Sequence, residues 1–275
     1  MNKIRIDNKS ILEKHADEIR KQVITMAYNA RSAHTGGALS CVDLLTALYF
    51  SVMEIDPEKP LSHNQDRFIF SKAHDCKALY AVLAQRGYFD KKILLTYEQN
   101  GGLPGHSTKQ VVPGVEVSAG SLGHGLSIAA GLAYALKLDS SRHKVFVMIS
   151  DGECDEGSTW EAILFAGHHG LSNLVAIVDY NKLQGFGRTD EVLTLEPFEK
   201  KWKDFGWGVA QVDGHNIKKI IKTLTKLPFV NDKPSVLIAH TIKGYRGVPK
   251  HIDQVSSQYK PPTEEEYKEI LKGFK

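Results

Sequence analysis

Residues 150–182 read SDGECDEGSTWEAILFAGHHGLSNLVAIVDYNK, and the way this stretch folds decides the rest of the chain. It begins at the end of KVFVMIS (144–150), an apolar run short enough to be a buried strand. A helical stretch is expected from about Asp155 to His168, followed by NLVAIVDY (173–180), a second buried run. In a strand–helix–strand unit the two strands lie parallel, so their C-terminal ends share one edge of the sheet. Asp151, just past the first strand, and Asn181, just past the second, therefore converge, together with any free carbonyl of the following loop. Carboxylate, carboxamide and carbonyl oxygens are the hard ligands that Mg²⁺ or Ca²⁺ takes, and Mg²⁺ usually holds a phosphate as well. The same two residues also serve as ordinary turn formers, because Asp and Asn side chains bond their own backbone.

Working outward, residues 10–32 predict a helix with Ile11, Leu12, His15, Ile19, Val23, Met26 and Ala30 on one face and Ser10 as N-cap. The paired glycines of Ala33-His34-Thr35-Gly36-Gly37 predict a turn, and a strongly apolar second helix follows over about 40–52. RFIFS (67–71) reads as a strand and 74–86 as a helix. Residues 98–120 are rich in Gly and Pro and have no period, the mark of a functional loop. Residues 122–138 (LGHGLSIAAGLAYALKL) are small and apolar on nearly every face, which predicts a helix that is buried or packed tightly on another. LQGFGRTD (183–190) is a second glycine-rich loop. WGVAQVDG (207–214) and SVLIAHTIKG (235–244) read as further strands, with a helix over 216–226 between them. Strands alternating with helices predict an α/β fold, with a mostly parallel central sheet and helices on both faces. Ligands of such sheets sit at the C-terminal strand ends, where Asp151 and Asn181 fall.

Composition narrows the function classes. At 275 residues, with 42% hydrophobic and 24% charged, the chain can bury one large core, and no Pro/Gly/Ser-rich linker divides it. Residues 1–275 are expected to form a single domain with a short basic C-terminal extension. The net charge of +3 comes from 35 basic and 32 acidic residues mixed along the chain, a solvated surface and not a nucleic-acid footprint. No apolar run approaches the roughly eighteen residues of a membrane span, and the charged N-terminus lacks a signal-peptide apolar region. Cys41, Cys76 and Cys154 form no CxxC pair, which favours a reducing compartment and makes the cytoplasm the expected location.

Several blocks carry a resemblance. ARSAHTGGALS (30–40) resembles an ANSGHPGAPLS-type segment, and DRFIFSKAHDCKALYAVL (66–83) resembles DRFVLSKGHAAPALYAVL. LPGHSTKQVVPGVEVSAGSLGHGLSIAAGLA (103–133) resembles a PGHP…PGVE-TGSLGQGLS block. Asp151-Gly152 with the later Asn181 resembles the thiamine diphosphate motif, a GDG followed by N or NN one strand–helix–strand unit on. From about residue 10 to 273 the chain resembles the N-terminal half of transketolase, and more narrowly the separately encoded N-terminal subunit of split transketolases. The resemblance implies a thiamine-diphosphate-binding fold of the diphosphate-binding type. It implies transfer of a two-carbon ketol unit from a ketose, phosphorylated or otherwise modified, to an aldose.

The same resemblance assigns roles. Asp151, Asn181 and the Leu183 carbonyl would hold the metal, Mg²⁺ with Ca²⁺ or Mn²⁺ as alternatives, and Gly152 would offer its N–H to the diphosphate. His34, His74 and His106 would be the catalytic histidines, meeting the diphosphate, the substrate or a developing oxyanion; imidazoles suit both donation and proton transfer near neutral pH. Gly120 and Leu122 would pack beside the cofactor rings, Glu156 would lie between the two active sites of a dimer, and Lys243 and Lys260 would approach the phosphate and substrate. Glu156 in a first helical turn would equally complement the helix dipole. His124, His168 and His169 read as structural.

Departures from the family pattern are local. Ser150 stands where the family usually has the first Gly of GDG. Asp75 and Lys77 replace the residues after the His of GHAAP, placing an acid and a base near His74. The WH or WHH segment before the KAPNEEE-type tail is replaced by Ser256-Ser257-Gln258-Tyr259 before KPPTEEE. These changes point to an altered sugar with the cofactor site retained. The glutamate that transketolases place beside N1′ of the aminopyrimidine belongs to a second domain. A C-terminal subunit carrying that pyrimidine-binding domain is therefore the expected partner, in an α2β2 assembly. Two other readings stand beside this one: a 2-oxo acid dehydrogenase E1 α-like chain, and a catalytically silent regulatory homologue.

Overall fold

Five short apolar runs build the sheet: β1 (Arg67–Phe70), β2 (Val145–Ser150), β3 (Leu174–Tyr180), β4 (Gly208–Asp213) and β5 (Ser235–His240). In the computed structural model, which describes residues 6–60 and 62–274, they lie in the order β1-β2-β3-β5-β4 with every neighbouring pair parallel. Eleven α-helices surround them among the described residues. The first four are α1 (Lys9–Ala30), α2 (Thr35–Ser40), α3 (Val42–Ala47) and α4 (Cys76–Arg86). Next come α5 (Gly125–Leu138), α6 (Gly157–His168), α7 (Thr189–Val192) and α8 (Phe198–Asp204). The last are α9 (Ile217–Leu224), α10 (Ser256–Tyr259) and α11 (Glu264–Gly273).

Side-chain alternation along the strands divides the core in two. Phe146, Met148, Val175, Ile177, Leu237 and Ala239 pack against α1, α3, α4 and α9. Their neighbours Val145, Val147, Ile149, Ala176, Val178 and Ile238 pack against α5, α6 and α8. Both faces are covered, which is why the central strands read as unbroken apolar runs rather than alternating ones. An apolar, doubly covered sheet leaves polar groups only its edges. The C-terminal edge carries Ser150, Asp151, Tyr180 and Asn181 in adjacent positions.

Four local expectations are corrected. Helix α1 is capped by Asn8, whose Oδ1 accepts from Ser10 N at 2.9 Å, and Ile11 points outward at 45% exposure. The single helix expected over 40–52 is three pieces, α2, α3 and a π-turn over Leu48–Val52. Gly36 and Gly37 lie inside α2, where they allow close approach and not a turn. A Cβ on Gly36 would stand 2.2 Å from Ser257 Oγ, and one on Gly37 would stand 2.3 Å from Asp75 Oδ2. Helix α5 packs on α6 and the sheet, as its small residues predict, while its far side leaves Ile128 at 39% and Leu138 at 68% exposure. The expected basic extension is α11, which is acidic, with four glutamates against two lysines, and docks on α1 by stacking Tyr267 on Tyr28 at 4.2 Å.

Because the space at Gly37 is already filled by a buried carboxylate, Gly37→Ala is expected to destabilise the chain by about 1–3 kcal/mol. Urea denaturation measures this. An unchanged midpoint would mean that α2 can shift away from Asp75.

Candidate functional site

Asp151 ends β2 with its side chain buried, and its two oxygens tie two loops together. Oδ1 accepts from Gly152 N at 2.8 Å and Oδ2 from Lys182 N at 2.6 Å. After β3 the chain turns sharply: Lys182 takes φ 62, and Asn181 Oδ1 accepts from Leu183 N at 3.1 Å. The Leu183 carbonyl in turn accepts from Lys243 Nζ at 2.8 Å. The three oxygen donors singled out by sequence, on Asp151, Asn181 and Leu183, are thus gathered on two loops joined at one carboxylate. Gly152 spends its N–H on Asp151, so any further acceptor would have to share that donor.

The charges here do not balance. Burial, reinforced by the negative Asp179, pushes the Asp151 carboxyl up to about 6, against the pull of Gly152 N–H, Lys182 N–H and Lys243. Burial also pushes the Lys243 ammonium below its usual value, although Asp75 and Asp151 oppose this. With Lys72 included, three buried carboxylates (Asp75, Asp151, Asp179) face two ammonium groups. Asp151 is thus a buried carboxylate whose charge is penalised, tied through Lys182 N–H to the loop that carries the Asn181 and Leu183 oxygens, and Lys243 already stands as a cation on the Leu183 carbonyl. That donor set accommodates a divalent cation. Among the described residues no group of three or more His, Cys, Asp or Glu could hold a metal, so a cation would rest on one carboxylate and neutral oxygens.

Beneath the site runs a buried ion network. Lys72, just after β1, bonds Asp179 of β3 and lies 3.1 Å from both Asp75 Oδ2 and the Gly37 carbonyl. Asp179 also accepts from Ser40 Oγ at 2.5 Å and from Thr241 Oγ1. Burial works against the charge on Lys72, but Asp179 and Asp75 hold its pKa well above the usual lysine value. Burial alone would raise Asp75, yet His74 and Lys72 hold it well below the usual carboxylate range. Glu153 is a fourth buried carboxylate, bonded by Ser71 Oγ and by Gly123 N at 2.9 Å, and it fixes the glycine loop before α5. Sequence reasoning passed over Lys72, Asp179 and Glu153. The signal was present in Asp179, an acid inside the otherwise apolar run NLVAIVDY.

The three histidines also meet. His34 enters α2 at φ 60, and its ring lies edge-on to His74 with centroids 5.2 Å apart. His74 Nε2 is 3.2 Å from Asp75 Oδ2, so the acid expected near His74 is in place. The base, Lys77, is fully buried and donates to the Ala33 carbonyl at 2.7 Å, beside His34. His106 stands exposed on the loop before α5, where its carbonyl accepts from Tyr80 OH at 2.7 Å. Gly120 lies against its ring, since a Cβ there would be 3.8 Å from Cδ2. Burial, together with positive charge from His74, Lys77 and His106, pushes His34 down to about 4 despite Asp75.

The remaining candidates are more peripheral. Leu122 is half-buried beside that glycine loop, and Glu156 is exposed at the start of α6, facing Gly123. Lys260 is exposed. His124 bonds the Leu122 carbonyl at 3.1 Å, and His169 packs between Tyr134 and Phe165, in keeping with structural roles. Ser150 Oγ accepts from Glu153 N at 3.2 Å, which shows how the departure from glycine is accommodated. No helix among the described residues is long and apolar enough to cross a membrane.

Known proteins resemble this chain in sequence and in fold. Residues 11–274 match the family described as transketolase, thiamine diphosphate binding domain. The chain is 41% identical, over 95% of its length and 92% of the relative's, to an apulose-4-phosphate transketolase subunit of Phocaeicola vulgatus. It is 40% identical, over 94% of both chains, to the 6-deoxy-6-sulfo-D-fructose transketolase subunit SqwG of a Clostridium species. Among solved structures, the transketolase from Leishmania mexicana superposes with a TM-score of 0.90 at 29% identity, covering 96% of this chain and 41% of that one. The transketolase from Campylobacter jejuni does so with a TM-score of 0.90 at 29% identity, covering 97% and 43%. The chain therefore spans about two-fifths of those solved chains.

The titrations suggest how to isolate Asp151. Its carboxyl rises from 3.8 to about 6 on folding, so the folded chain holds the extra proton and cation-free stability falls as pH rises through that window. His34 drops from 6.5 to about 4, so there the unfolded chain holds the extra proton and stability rises with pH. The two offset in a denaturation curve, whereas a cation must compete with the Asp151 proton alone. Divalent-cation affinity of chelator-stripped protein, measured by calorimetry, is expected to fall about tenfold per pH unit below about pH 6. A flat affinity between pH 5 and 7 would remove Asp151 from the ligand set.

Proposed function

The chain belongs to the transketolase family, in its thiamine diphosphate binding part, and from that premise we propose that it is the N-terminal subunit of a two-chain ketol transferase. The observation that supports this reading is that the Lys182 N–H bond to buried Asp151 ties the loop after β2 to the loop that carries Asn181 and the Leu183 carbonyl, where burial penalises the carboxylate charge. Mg²⁺ is the cation those oxygens suit best, with Ca²⁺ or Mn²⁺ able to replace it. Asp151 and Asn181 would carry it, with Gly152 N–H and His74 facing the diphosphate. Lys243, now bonded to the Leu183 carbonyl, is the ammonium available to phosphate oxygens once a metal takes that carbonyl. Gly120 and Leu122 would border the rings, and Glu156 would face the neighbouring copy. When bound, thiamine diphosphate supplies the carbanion chemistry.

The chain's own part is to bind, orient and hold protons. His34, His74 and His106 line the approach and donate to sugar hydroxyls and to the oxygen on which charge develops. His74 is oriented by Asp75, and Asp75 by Lys72, so the donor is held before the sugar arrives. The activating glutamate would come from a C-terminal subunit with a pyrimidine-binding domain, in an α2β2 assembly in the cytoplasm. The relatives' designation as subunits supports a partner. So do the exposed Leu164, at 57%, and Phe186, at 88%, which a single domain of residues 1–275 leaves to solvent. The sugar is proposed to be a modified ketose, in line with relatives named for apulose 4-phosphate and 6-deoxy-6-sulfo-D-fructose.

The purified chain should transfer no ketol unit by itself and should become active when reconstituted with the partner subunit, thiamine diphosphate and Mg²⁺. Activity without the partner would overturn the two-chain reading. In the reconstituted pair, Asp151→Ala should abolish cofactor retention on gel filtration while the circular dichroism of the fold persists. Equal retention by mutant and wild type would overturn the site. Turnover of xylulose 5-phosphate with ribose 5-phosphate should fall at least about 10²-fold below that of the true substrate pair, the lower end of a general acid–base contribution. Equal turnover would overturn the specialised substrate.

A further inference from the structure

The segment that departs most from the family pattern, Ser256–Tyr259, forms α10, and its two substituted residues face opposite ways. Tyr259 is 54% exposed and donates its hydroxyl to the Gly185 carbonyl at 2.8 Å, tying α10 to the glycine loop after β3. Gln258 is buried and turns inward to His34. Two bonds join the pair: His34 N–H donates to the Gln258 carbonyl at 2.6 Å, and Gln258 Nε2 meets His34 Nδ1. The main-chain bond fixes where His34 sits, at φ 60 on the lip of α2. Ser257 Oγ, which fills the space over Gly36, leaves α10 no room to approach or withdraw.

With the amide oriented as it is here, nitrogen toward the ring, the carboxamide has only protons to offer, so Nδ1 of His34 accepts. A neutral imidazole that accepts at one nitrogen carries its proton on the other. We infer that Gln258 is a positioning residue that locks His34 in the Nε2–H tautomer, making it a fixed hydrogen-bond donor to the sugar and not a proton shuttle. The inference rests on the proposed transferase reading for its consequence in turnover, but the tautomer itself does not. The groups that face His34 are Asp75 on the turn before α4, His74 beside it, Lys77 on α4 and His106 on the loop before α5. Their sum, with burial, keeps the ring neutral near pH 7. The tautomer is therefore set by the neutral partner on α10, Gln258.

This assignment changes what the family substitution means. A histidine at this place is itself a group that can reach substrate. A glutamine bonded to His34 gives up that reach and spends its polarity on orienting a neighbour. The sugar then meets one fixed donor, His34 Nε2–H, where two titratable rings would otherwise compete.

The test uses ¹⁵N-histidine NMR of the full chain, free and reconstituted with its partner, with His34→Gln used to assign the signals. The wild type is expected to show a protonated Nε2 and an unprotonated Nδ1 for His34 between pH 6 and 8. A protonated Nδ1 would overturn the inference, whether or not the pair has transferase activity. Gln258→Glu offers a carboxylate that accepts from Nδ1–H, so His34 should become the opposite tautomer or an imidazolium. In the reconstituted pair kcat should fall on the order of 10²-fold at pH 8 and recover as pH is lowered, because the imidazolium restores the Nε2 donor. Cofactor affinity, measured separately by calorimetry, controls for repulsion of the diphosphate. Gln258→Met cannot impose either tautomer and should cost less than tenfold. Equal losses in the Glu and Met variants, with no new pH dependence, would make Gln258 a packing residue and overturn the inference.

Discussion

The ammonium of Lys72 sits inside the protein between the carboxylates of Asp179 and Asp75, and the site is arranged around it. Asp179 belongs to β3, Lys72 follows β1, Asp75 leads into α4, and Gly37, whose carbonyl also meets Lys72, lies in α2. One buried cation therefore joins four elements from three distant stretches of the chain, around residues 37, 72–75 and 179. Removing one partner of such a buried pair typically costs about 3–5 kcal/mol, because the remaining charge is stranded. Replacing the whole set with apolar residues would cost much less, so stability alone is a weak reason for it to exist. What the network supplies is placement. Asp75 is pinned between Lys72 and His74, and Asp179 biases Asp151 from below.

From that arrangement the two halves of the site acquire opposite electrostatic characters. At the ends of β2 and β3, Asp151 is an acid in a place that penalises its charge, and it gains by receiving a cation. Across the network, His34 is a base in a place that penalises its protonation, and it stays neutral. Both effects come first from burial, which penalises the charged form of each group and so raises the acid and lowers the base, and the neighbouring charges only add to or oppose it. A region that invites positive charge thus adjoins one that keeps its donors neutral, the division that a metal-held diphosphate and an uncharged sugar end would each require.

How much of this was legible in the sequence depends on whether the signal was local. The strands were, because a doubly covered parallel sheet prints an unbroken apolar run for each, and their shared edge follows from the connection between them. Asp151 and Asn181 could be placed together on that ground alone, and the thiamine diphosphate motif added the Leu183 carbonyl. The helix termini were less legible: Asn8 caps α1 in place of Ser10, and Gly36 and Gly37 are helical because Ser257 and Asp75, remote in sequence, occupy the space a side chain would need. The histidines were singled out through family resemblance, since nothing in spacing brings residues 34, 74 and 106 together. Lys72 and Glu153 were missed because a charge beside a strand looks the same whether it faces solvent or the interior.

The positions that depart from the family pattern are not scattered over the site. Asp75, Lys77, Gln258 and Tyr259 all lie on or beside the elements that hold His34 and His74. The loops after β2 and β3 keep their oxygen donors, and the one departure beside them, Ser150, precedes Asp151 and is taken up by a bond from Glu153 N–H. Lys77 grips the Ala33 carbonyl immediately before His34, and Gln258 grips His34 through both main chain and ring. Substitutions at a cofactor's anchoring end would change whether it is held at all. Substitutions around two donors that point at the sugar change which hydroxyl pattern those donors suit, and a site built to bond one pattern discriminates strongly against a substrate that leaves its buried groups unpaired. The distribution of the changes is itself an argument for the proposed specialised sugar, since most of them gather around the histidines and leave the oxygen donors after β2 and β3 in place.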